Sequence, residues 1–487
     1  MSLNQTLQEK FPHLELSVLK LSEVQRDNET KRIDSEYFKK EYLENEKKIK
    51  GKTIILNFID TKIQNIKSFN LNKNFNYLQI SDIDLNNGLT YSTIEIDFAH
   101  IPDRATYILQ KNDICVSTVR PNRNAVALIK NQKRLIGTSG FCVLRLKEKN
   151  ILPEFLYIFC KTDFFITKMM RANTASLYPA VSDSDIYKCK IPLLPMPFQL
   201  EIEKLVKDSH SALEDSKALY KQAEELLYTE LGLDPTNPMQ SILSYKPILS
   251  SDCYDSTNIE SHNDRLNYSI RTLKESFLKT GRLDSEYYQV KYEEIESFIQ
   301  FYQGGFSKLE IMEIKDSNFT PKDKEKYRYI ELANIGANGN ISAPLEELGE
   351  DLPTRARRLV KEGDLIISSV EGSLESCALI TKEFHHCIVS TGFYVLKSHS
   401  INSETLLVLF KSSFFQHYLK KFPSGTILSA ISKEELQNIL IPKINPNTQD
   451  SIASHIQKNF ALRAEAKALL EEAKAKVESA ISGGGGG

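Results

Sequence analysis

The residues best suited to chemistry sit in two polar turns that read as versions of one another. Ser117-Thr118-Val119-Arg120-Pro121-Asn122-Arg123-Asn124 gathers two guanidiniums, two amides and two hydroxyls in one short stretch. An Arg fork fits guanine O6 and N7, an Asn amide fits adenine N6 and N7, and hydroxyls commonly take phosphate oxygens. The counterpart, Ser368-Ser369-Val370-Glu371-Gly372-Ser373-Leu374-Glu375-Ser376, keeps the framing hydroxyls and changes the tip. A shared frame with an altered tip is what two readers of different sequences need. Candidate nucleic-acid contacts are therefore Ser117, Thr118, Arg120, Arg123 and Asn124 in the first turn, and Ser368, Ser373 and Glu375 in the second. The plain alternative for both is a solvated turn.

A second pair of segments has similar chemistry. Arg171-Ala172-Asn173-Thr174-Ala175-Ser176-Leu177-Tyr178 and Lys420-Lys421-Phe422-Pro423-Ser424-Gly425-Thr426 set small polar residues beside cations, which suits the wall of a groove. Asn173, Thr174, Lys421, Ser424 and Thr426 join the candidates. Arg355, Arg357, Arg358 and Lys361 form a basic run with only Arg104 and Lys111 as partial equivalents, and a solvated face is the default for such runs. Arg32, Asp34, Glu36 and Tyr37 recur unchanged as Arg282, Asp284, Glu286 and Tyr287. Residues kept in both readers cannot distinguish two targets, so this motif is assigned to packing between domain and helices.

Catalysis lacks its parts. The chain has no G-K-[ST] phosphate loop, no [DNS]-P-P-[YF] of an amino-methyltransferase and no H-E-x-x-H. Asp323-Lys324-Glu325-Lys326 reads as a solvated charge run, not a nuclease cluster. His385-His386-Cys387 has no further ligands at a sensible spacing, so no metal is expected. The net charge of −2 is unlike a stand-alone nucleic-acid binder. Any basic surface must be local or completed by a partner.

The elements that position these turns come twice. Arg32-Ile33-Asp34-Ser35-Glu36-Tyr37 returns 250 residues later, and Thr138-Ser139-Gly140-Phe141 returns as Ser390-Thr391-Gly392-Phe393. A period this long is no solenoid repeat. Each half reads as short β-rich runs followed by helix. The runs are 53–56, 77–80, 113–119, 126–130 and 140–146, then 329–332, 364–370, 378–381 and 392–396; helices follow from 153 and from 403. Strands first and helices afterwards indicate an α+β fold.

A long helix ends each half. Ile202, Val206, Ser209, Leu213, Ser216, Tyr220, Ala223 and Leu227 alternate at spacings of four and three, as do Ile452, Ile456, Asn459, Arg463, Ala466, Leu470, Ala473 and Val477. That period means a coiled-coil seam, diluted by Ser209, Ser216, Asn459 and Arg463. The helices are expected to pair with each other, antiparallel, with further partner contacts through Ile202, Val206, Leu213, Tyr220, Leu227, Ile452, Ile456, Leu470 and Val477. About 30 residues at ~1.5 Å give a rod of ~45 Å, against ~34 Å for a turn of B-DNA.

The chain resembles the specificity subunits of type I restriction–modification systems over nearly its whole length. The resemblance is carried by Ile191-Pro192-Leu193-Leu194-Pro195 followed by Gln199 and Ile202, by Ile441-Pro442 followed by Gln449 and Ile452, and by Ala223-Glu224-Glu225-Leu226-Leu227 running on to Leu231-Gly232-Leu233. The second copy departs at Lys443-Ile444-Asn445 and ends without Leu-Gly-Leu. The family implies two target-recognition domains related by a pseudo-twofold: 1–197, with a long helix at 198–233 and a linker at 234–264, then 265–445, with a long helix at 446–482. The glycine tail at 483–487 lies outside the resemblance; pure glycine cannot pack, and the run is read as an expression scar or a linker remnant.

The resemblance further implies a bipartite double-stranded DNA target and methyltransferase subunits, two of them, which methylate adenine N6 from S-adenosylmethionine. A restriction motor–nuclease subunit would join them. No cofactor is expected in this chain itself. Two rivals stay open: a coiled-coil protein adaptor, and the recognition module of a single-chain restriction–methylation enzyme. Seven scattered cysteines, no apolar run long enough for a bilayer and a start lacking a charged region before an apolar stretch lead us to expect a cytoplasmic protein.

Overall fold

The computed structural model describes the chain except residues 1–2, 26–27, 29, 50–52, 67–73, 86–87, 89–93, 98–99, 131–133, 174–178, 245–270, 316, 337, 343, 426–428 and 484–487. It divides into two compact units, residues 1–213 with 463–487, and residues 214–462. Each unit takes one part of each long helix, whereas the sequence-derived boundaries set the helices apart from the domains. Most of the expected linker lies outside the described residues.

Among its described residues the first unit holds eight strands, β1 (Ile59–Asp60), β2 (Phe75–Leu78), β3 (Ile94–Ile96), β4 (Ala105–Leu109), β5 (Ile114–Ser117), β6 (Val126–Leu128), β7 (Leu135–Thr138) and β8 (Phe141–Leu146). They form two four-stranded sheets, ordered β1-β8-β5-β6 and β3-β2-β7-β4. The run Ile114-Cys115-Val116 is apolar throughout because its sheet is covered on both faces. Ile114, Val116, Cys142 and Leu144 face helix α2 (Pro153–Lys161), which follows α1 (Lys40–Lys48) in the chain. Cys115, Ala127, Phe141 and Val143 meet Leu78, Leu109 and Leu135 of the other sheet. The period-two alternation sends one residue in each direction.

The second unit has β9 (Phe306–Lys308), β10 (Glu313–Lys315), β11 (Lys326–Ile330), β12 (Leu345–Leu348), β13 (Ala356–Leu359), β14 (Leu365–Ser368), β15 (Cys377–Leu379), β16 (Ile388–Ser390), β17 (Phe393–Lys397) and β18 (Leu440–Pro442). Its sheets run β10-β17-β14-β15 and β12-β11-β16-β13, the same order strand for strand. The parallel pair Tyr77↔Ile136 has its equivalent in Tyr329↔Ile388. Even the bulge recurs, at Ala105/Tyr107 and at Ala356/Arg358. β9 and β18 add a pair that the first unit reduces to one bridge, Ile54↔Lys190.

Two expectations are corrected here. Residues 53–56 are not a strand: after the bridge at Ile54 the chain turns into a 3-10 segment, Ile55–Asn57, that drives Ile55 into the core. The helix expected from 153 onward is two, α2 and α3 (Asp163–Ala172), because extended Thr162 ends one and its hydroxyl accepts from the Phe165 amide to start the next. The second unit breaks likewise at Ser412, between Ser403–Lys411 and Ser413–Leu419.

The long helices are α4 (Met196–Leu231) and α5 (Pro446–Gly483). Gln199 fastens the start of α4: its amide donates to Leu194 O at 2.8 Å and Asn150 O at 3.1 Å, and its oxygen accepts from the Leu152 amide at 2.9 Å. Gln449 repeats this with Ile444 O at 2.9 Å and the Asn402 amide at 2.9 Å. In the first unit Ile202, Val206, Leu470, Ala473 and Val477 share one core, and Lys476 pairs with Glu201 at 2.7 Å. In the second unit Ala223, Leu227, Ile452 and Ile456 share another, and Thr448 donates to Glu230 at 2.7 Å. Ser209, Ser216 and Asn459 are buried in the seam. Ser209 Oγ donates to Ala466 O in the first unit, and the Asn459 amide donates to Ser216 O in the second. Among the described residues no helix is long and apolar enough to cross a membrane.

Candidate nucleic-acid interface

The fold brings the two pairs of candidate segments together, one pair in each unit. In the first, the Arg120 amide donates to Pro179 O at 2.7 Å and the Val181 amide to Thr118 O at 2.9 Å, so the turn after β5 is laced to the segment after α3. In the second, the Glu371 amide donates to Ser429 O at 3.0 Å and the Ile431 amide to Ser369 O at 2.8 Å. Isolated bridges at Val119↔Ala180 and Val370↔Ala430 mark the same seam. Each turn also leans on a second one, through Thr118 N to Gly140 O and Ser369 N to Gly392 O, both at 2.9 Å.

The tips differ as the sequence predicts, and so does their backbone. Arg120 and Asn124 take left-handed conformations, at φ 51° and 50°, around the 3-10 turn Pro121–Arg123. Non-glycine residues seldom adopt this region, and such strain collects at sites where surrounding bonds enforce it. Here the Arg120–Pro179 bond and the Asn124 amide donating to Lys161 O at 3.1 Å do so. Arg120, Asn122 and Arg123 are left exposed. In the second unit the exposed tip is Glu371, Gly372 and Glu375, with Ser373 half-buried. A cationic tip suits guanine and phosphate, whereas a carboxylate can accept from cytosine N4.

Several candidates turn out to be frame, not tip. Ser117 is buried, donating to Val119 O at 2.8 Å, and Thr118 Oγ1 donates to Gly140 O at 3.0 Å. Ser368 is buried against Ser373, their hydroxyls 2.9 Å apart. Asn124 spends its amide on Lys161 O. Lys421 is corrected most clearly: it is buried, pairs with Glu296 at 2.6 Å and lies 4.8 Å over the Tyr287 ring. Its charge is spent inside the fold. Asn173 is half-buried and accepts from the Ala180 amide at 3.0 Å, while Ser424 stays exposed. Thr174 and Thr426 lie outside the described residues. Ile202, Val206, Leu213, Leu227, Ile452, Ile456, Leu470 and Val477 are all buried, and Tyr220 partly so.

Two exposed cations gain weight from the structure. Arg104 and Arg355 occupy equivalent places, their carbonyls accepting from Ser139 N at 2.7 Å and Thr391 N at 2.9 Å, beside the glycine turns that support the tips. The run 355–361 hid this, because Arg358 turns inward to Phe393 O and the Tyr394 ring. Among the described residues no group of three or more metal-ligating side chains is gathered, and the His385 and His386 rings lie 3.9 Å apart at a tilt of 37°.

In the first unit the repeated Arg-x-Asp motif meets the C-terminal end of α3. Asp34 grips the Arg32 guanidinium through both oxygens, at 2.8 and 2.7 Å, and the remaining arm donates to Asn173 O at 2.8 Å. Arg282 is gripped by Asp284 in the same way and donates to Phe422 O and Pro423 O, both at 2.9 Å. A guanidinium seeks carbonyl oxygens, and helix C-termini present unpaired ones. The hydrogen bond from Arg32 holds the Asp34 carboxyl down at about 2. For Asp284, burial pushes the other way, but bonds from Arg282 and the Tyr287 amide still leave it lowered.

Residues 55–224 match the family described as the type I restriction modification DNA specificity domain. The type I restriction enzyme MjaVIII specificity subunit of Methanocaldococcus jannaschii is 20% identical over 379 residues, which span 76% of this chain and 78% of that protein. Among solved structures, the HsdS subunit from Thermoanaerobacter tengcongensis aligns at 20% identity and a TM-score of 0.32, over 88% of this chain and 96% of its own. The S subunit of a type I restriction–modification system from M. genitalium aligns at 14% and 0.37, over 88% and 94%. This chain is thus similar to the type I restriction modification DNA specificity domain over residues 55–224, and to a type I restriction enzyme specificity subunit over three quarters of its length.

Proposed function

We propose that this chain is the non-catalytic reader of a type I restriction–modification complex, in which each unit reads one half of a split double-stranded DNA target. The family's part in such systems is DNA sequence specificity without catalysis. The observation that carries the reading is one scaffold, equal strand for strand in both units, with unlike exposed tips at one place on it. A protein-only adaptor has no use for that pattern.

The long helices serve as an antiparallel coiled-coil spacer between two recognition domains related by a pseudo-twofold. What supports this is the run of partners: residue 201 meets 476 and 209 meets 466 in the first unit, while 216 meets 459 and 230 meets 448 in the second. Partner numbers fall as the first helix's numbers rise. Two methyltransferase subunits dock on this helical part and bring S-adenosylmethionine for adenine N6 methylation, and a motor–nuclease subunit joins for restriction. The near-neutral charge of this chain fits a reader whose cationic surface is completed by such partners.

The test is binding of the assembled complex to its target duplex with Arg120→Ala and Arg123→Ala together. Affinity should fall by roughly 1–3 kcal/mol for each bidentate Arg–base pairing removed. Unchanged affinity and an unchanged target would remove the first tip from the interface.

A further inference from the structure

One constellation recurs in both units and has no part in either tip. The sequence Arg-(Ile/Leu)-Asp-Ser-Glu-Tyr places an Arg between three fixed partners. In the first unit Asp34 holds Arg32 by two bonds, the Tyr37 ring lies 4.9 Å from the guanidinium, and the third side faces Asn173 O. In the second, Asp284 and the Tyr287 ring, at 4.3 Å, hold Arg282 against Phe422 O and Pro423 O. Each Asp also accepts from its own Tyr amide at 3.1 Å, so the motif folds on itself. A second cation lies over each ring: Arg171 at 4.4 Å from Tyr37, Lys421 at 4.8 Å from Tyr287. Those cations are themselves tied to Glu46 and Glu296.

The carbonyls so gripped belong to the residues where each recognition segment leaves its helix. From there the bonding continues without a gap. Asn173 accepts from Ala180 N, Val181 N donates to Thr118 O, and Arg120 N donates to Pro179 O. In the second unit Ser424 and Ala430 exchange bonds at 3.0 and 3.1 Å, then Ile431 N reaches Ser369 O and Glu371 N reaches Ser429 O. The chain of bonds therefore runs from the Arg to the strained tip in the first unit and to the acidic tip in the second.

We propose that Arg32 and Arg282 are positioning residues for DNA reading, each fixing the aim of its own unit's tip without touching DNA itself. This rests on the DNA-reading role proposed above. An aim set within each unit separately gives the inference a signature that general destabilisation lacks: losing one Arg degrades one half of the target only. A lysine cannot substitute, because a point ammonium cannot hold both carboxylate oxygens and still reach the carbonyl in a planar fork.

The test uses the full-length chain in its assembled complex, with Arg32→Ala, Arg282→Ala, Arg32→Lys and Arg282→Lys. Hydrogen exchange, which needs no DNA, should quicken at least tenfold at Ala180 and Val181 in the Arg32 variants, and at Ser424, Ala430 and Ile431 in the Arg282 variants. The strands Ile114–Ser117 and Leu365–Ser368 should keep wild-type exchange. Selection of bound duplexes from a random pool should then show one half of the target relaxed and the other intact, with the halves exchanged between the Arg32 and Arg282 variants. Should an Ala variant unfold, the Lys variant decides by the same two readouts. Unchanged exchange at those amides, or equal loss in both halves, overturns the proposal. A wild-type complex that selects no sequence would instead sink the DNA-reading role and leave the exchange result standing.

Discussion

Ser209 Oγ donates to the carbonyl of Ala466 at 2.8 Å, buried in the seam between the long helices. Adding the repeat spacing of 250 to 209 gives Asn459, and subtracting it from 466 gives Ser216, which are donor and acceptor of the other buried bond. The two bonds therefore occupy equivalent places of the sequence repeat, one in each unit. Buried polar contacts of this kind commonly fix register in helix pairs at some cost in stability.

Removing both donors, with Ser209→Ala and Asn459→Ala, should lower stability by about 0.5–1.5 kcal/mol per bond. Asn459→Leu should give less loss, or none, because one amide oxygen of Asn459 is buried without a partner. Calorimetric melting of the three variants checks the order.

Leu470→Lys should be far more damaging than either. Leu470 is buried in the first unit's core with Ala473 and Val477, and a charge there has no partner to compensate it. Loss of helical signal by circular dichroism and a shifted elution volume are expected. A well-folded variant of normal size would contradict the placement of this seam.

Arg104 and Arg355 should act through phosphate. Replacing either with Gln should weaken binding to all sequences alike and reduce the slope of log K against log salt by about 0.9 for each phosphate no longer neutralised. Equilibrium titrations at several salt concentrations measure it. A change in sequence preference with an unchanged slope would place these residues on bases instead.

The Asp34 carboxylate, held at about 2 first by its bond from Arg32, makes a pH prediction. A carboxylate depressed in the fold contributes stability above its ordinary value of about 3.9, and that contribution is lost as pH falls through the folded value. The Arg32–Asp34 contact should therefore be intact at neutral pH and open only between about 4 and 2. Carbon NMR of labelled aspartate gives the midpoint, which Arg32→Ala should raise toward the ordinary value of about 3.9.

The fold was legible where local pattern and packing agree. Ile114-Cys115-Val116 reads as a doubly covered strand, and the 4–3 spacing from Ile202 reads as a helix seam, because burial dictates both periods. Leu135–Thr138 escaped notice because Gly137 gives it the look of a turn; the strand is short and held by neighbours on both sides. At the site, the 250-residue recurrence located both tips. It could not separate tip from frame, since Ser117 and Ser368 are framed by partners that only the folded turn supplies. The partner of Arg32 was illegible for a related reason. Its decisive acceptor, the Asn173 carbonyl, is 141 residues away and carries no side-chain signal.

The central claim is that one chain reads two separated words of duplex DNA, one with each unit. Genome-wide mapping of N6-methyladenine, in cells with and without this gene and with its methyltransferase retained, tests it most directly. The account predicts that deletion abolishes methylation at a single asymmetric motif of two specified parts separated by a fixed unspecified gap. An unchanged map, or loss of a continuous motif with no gap, would contradict it.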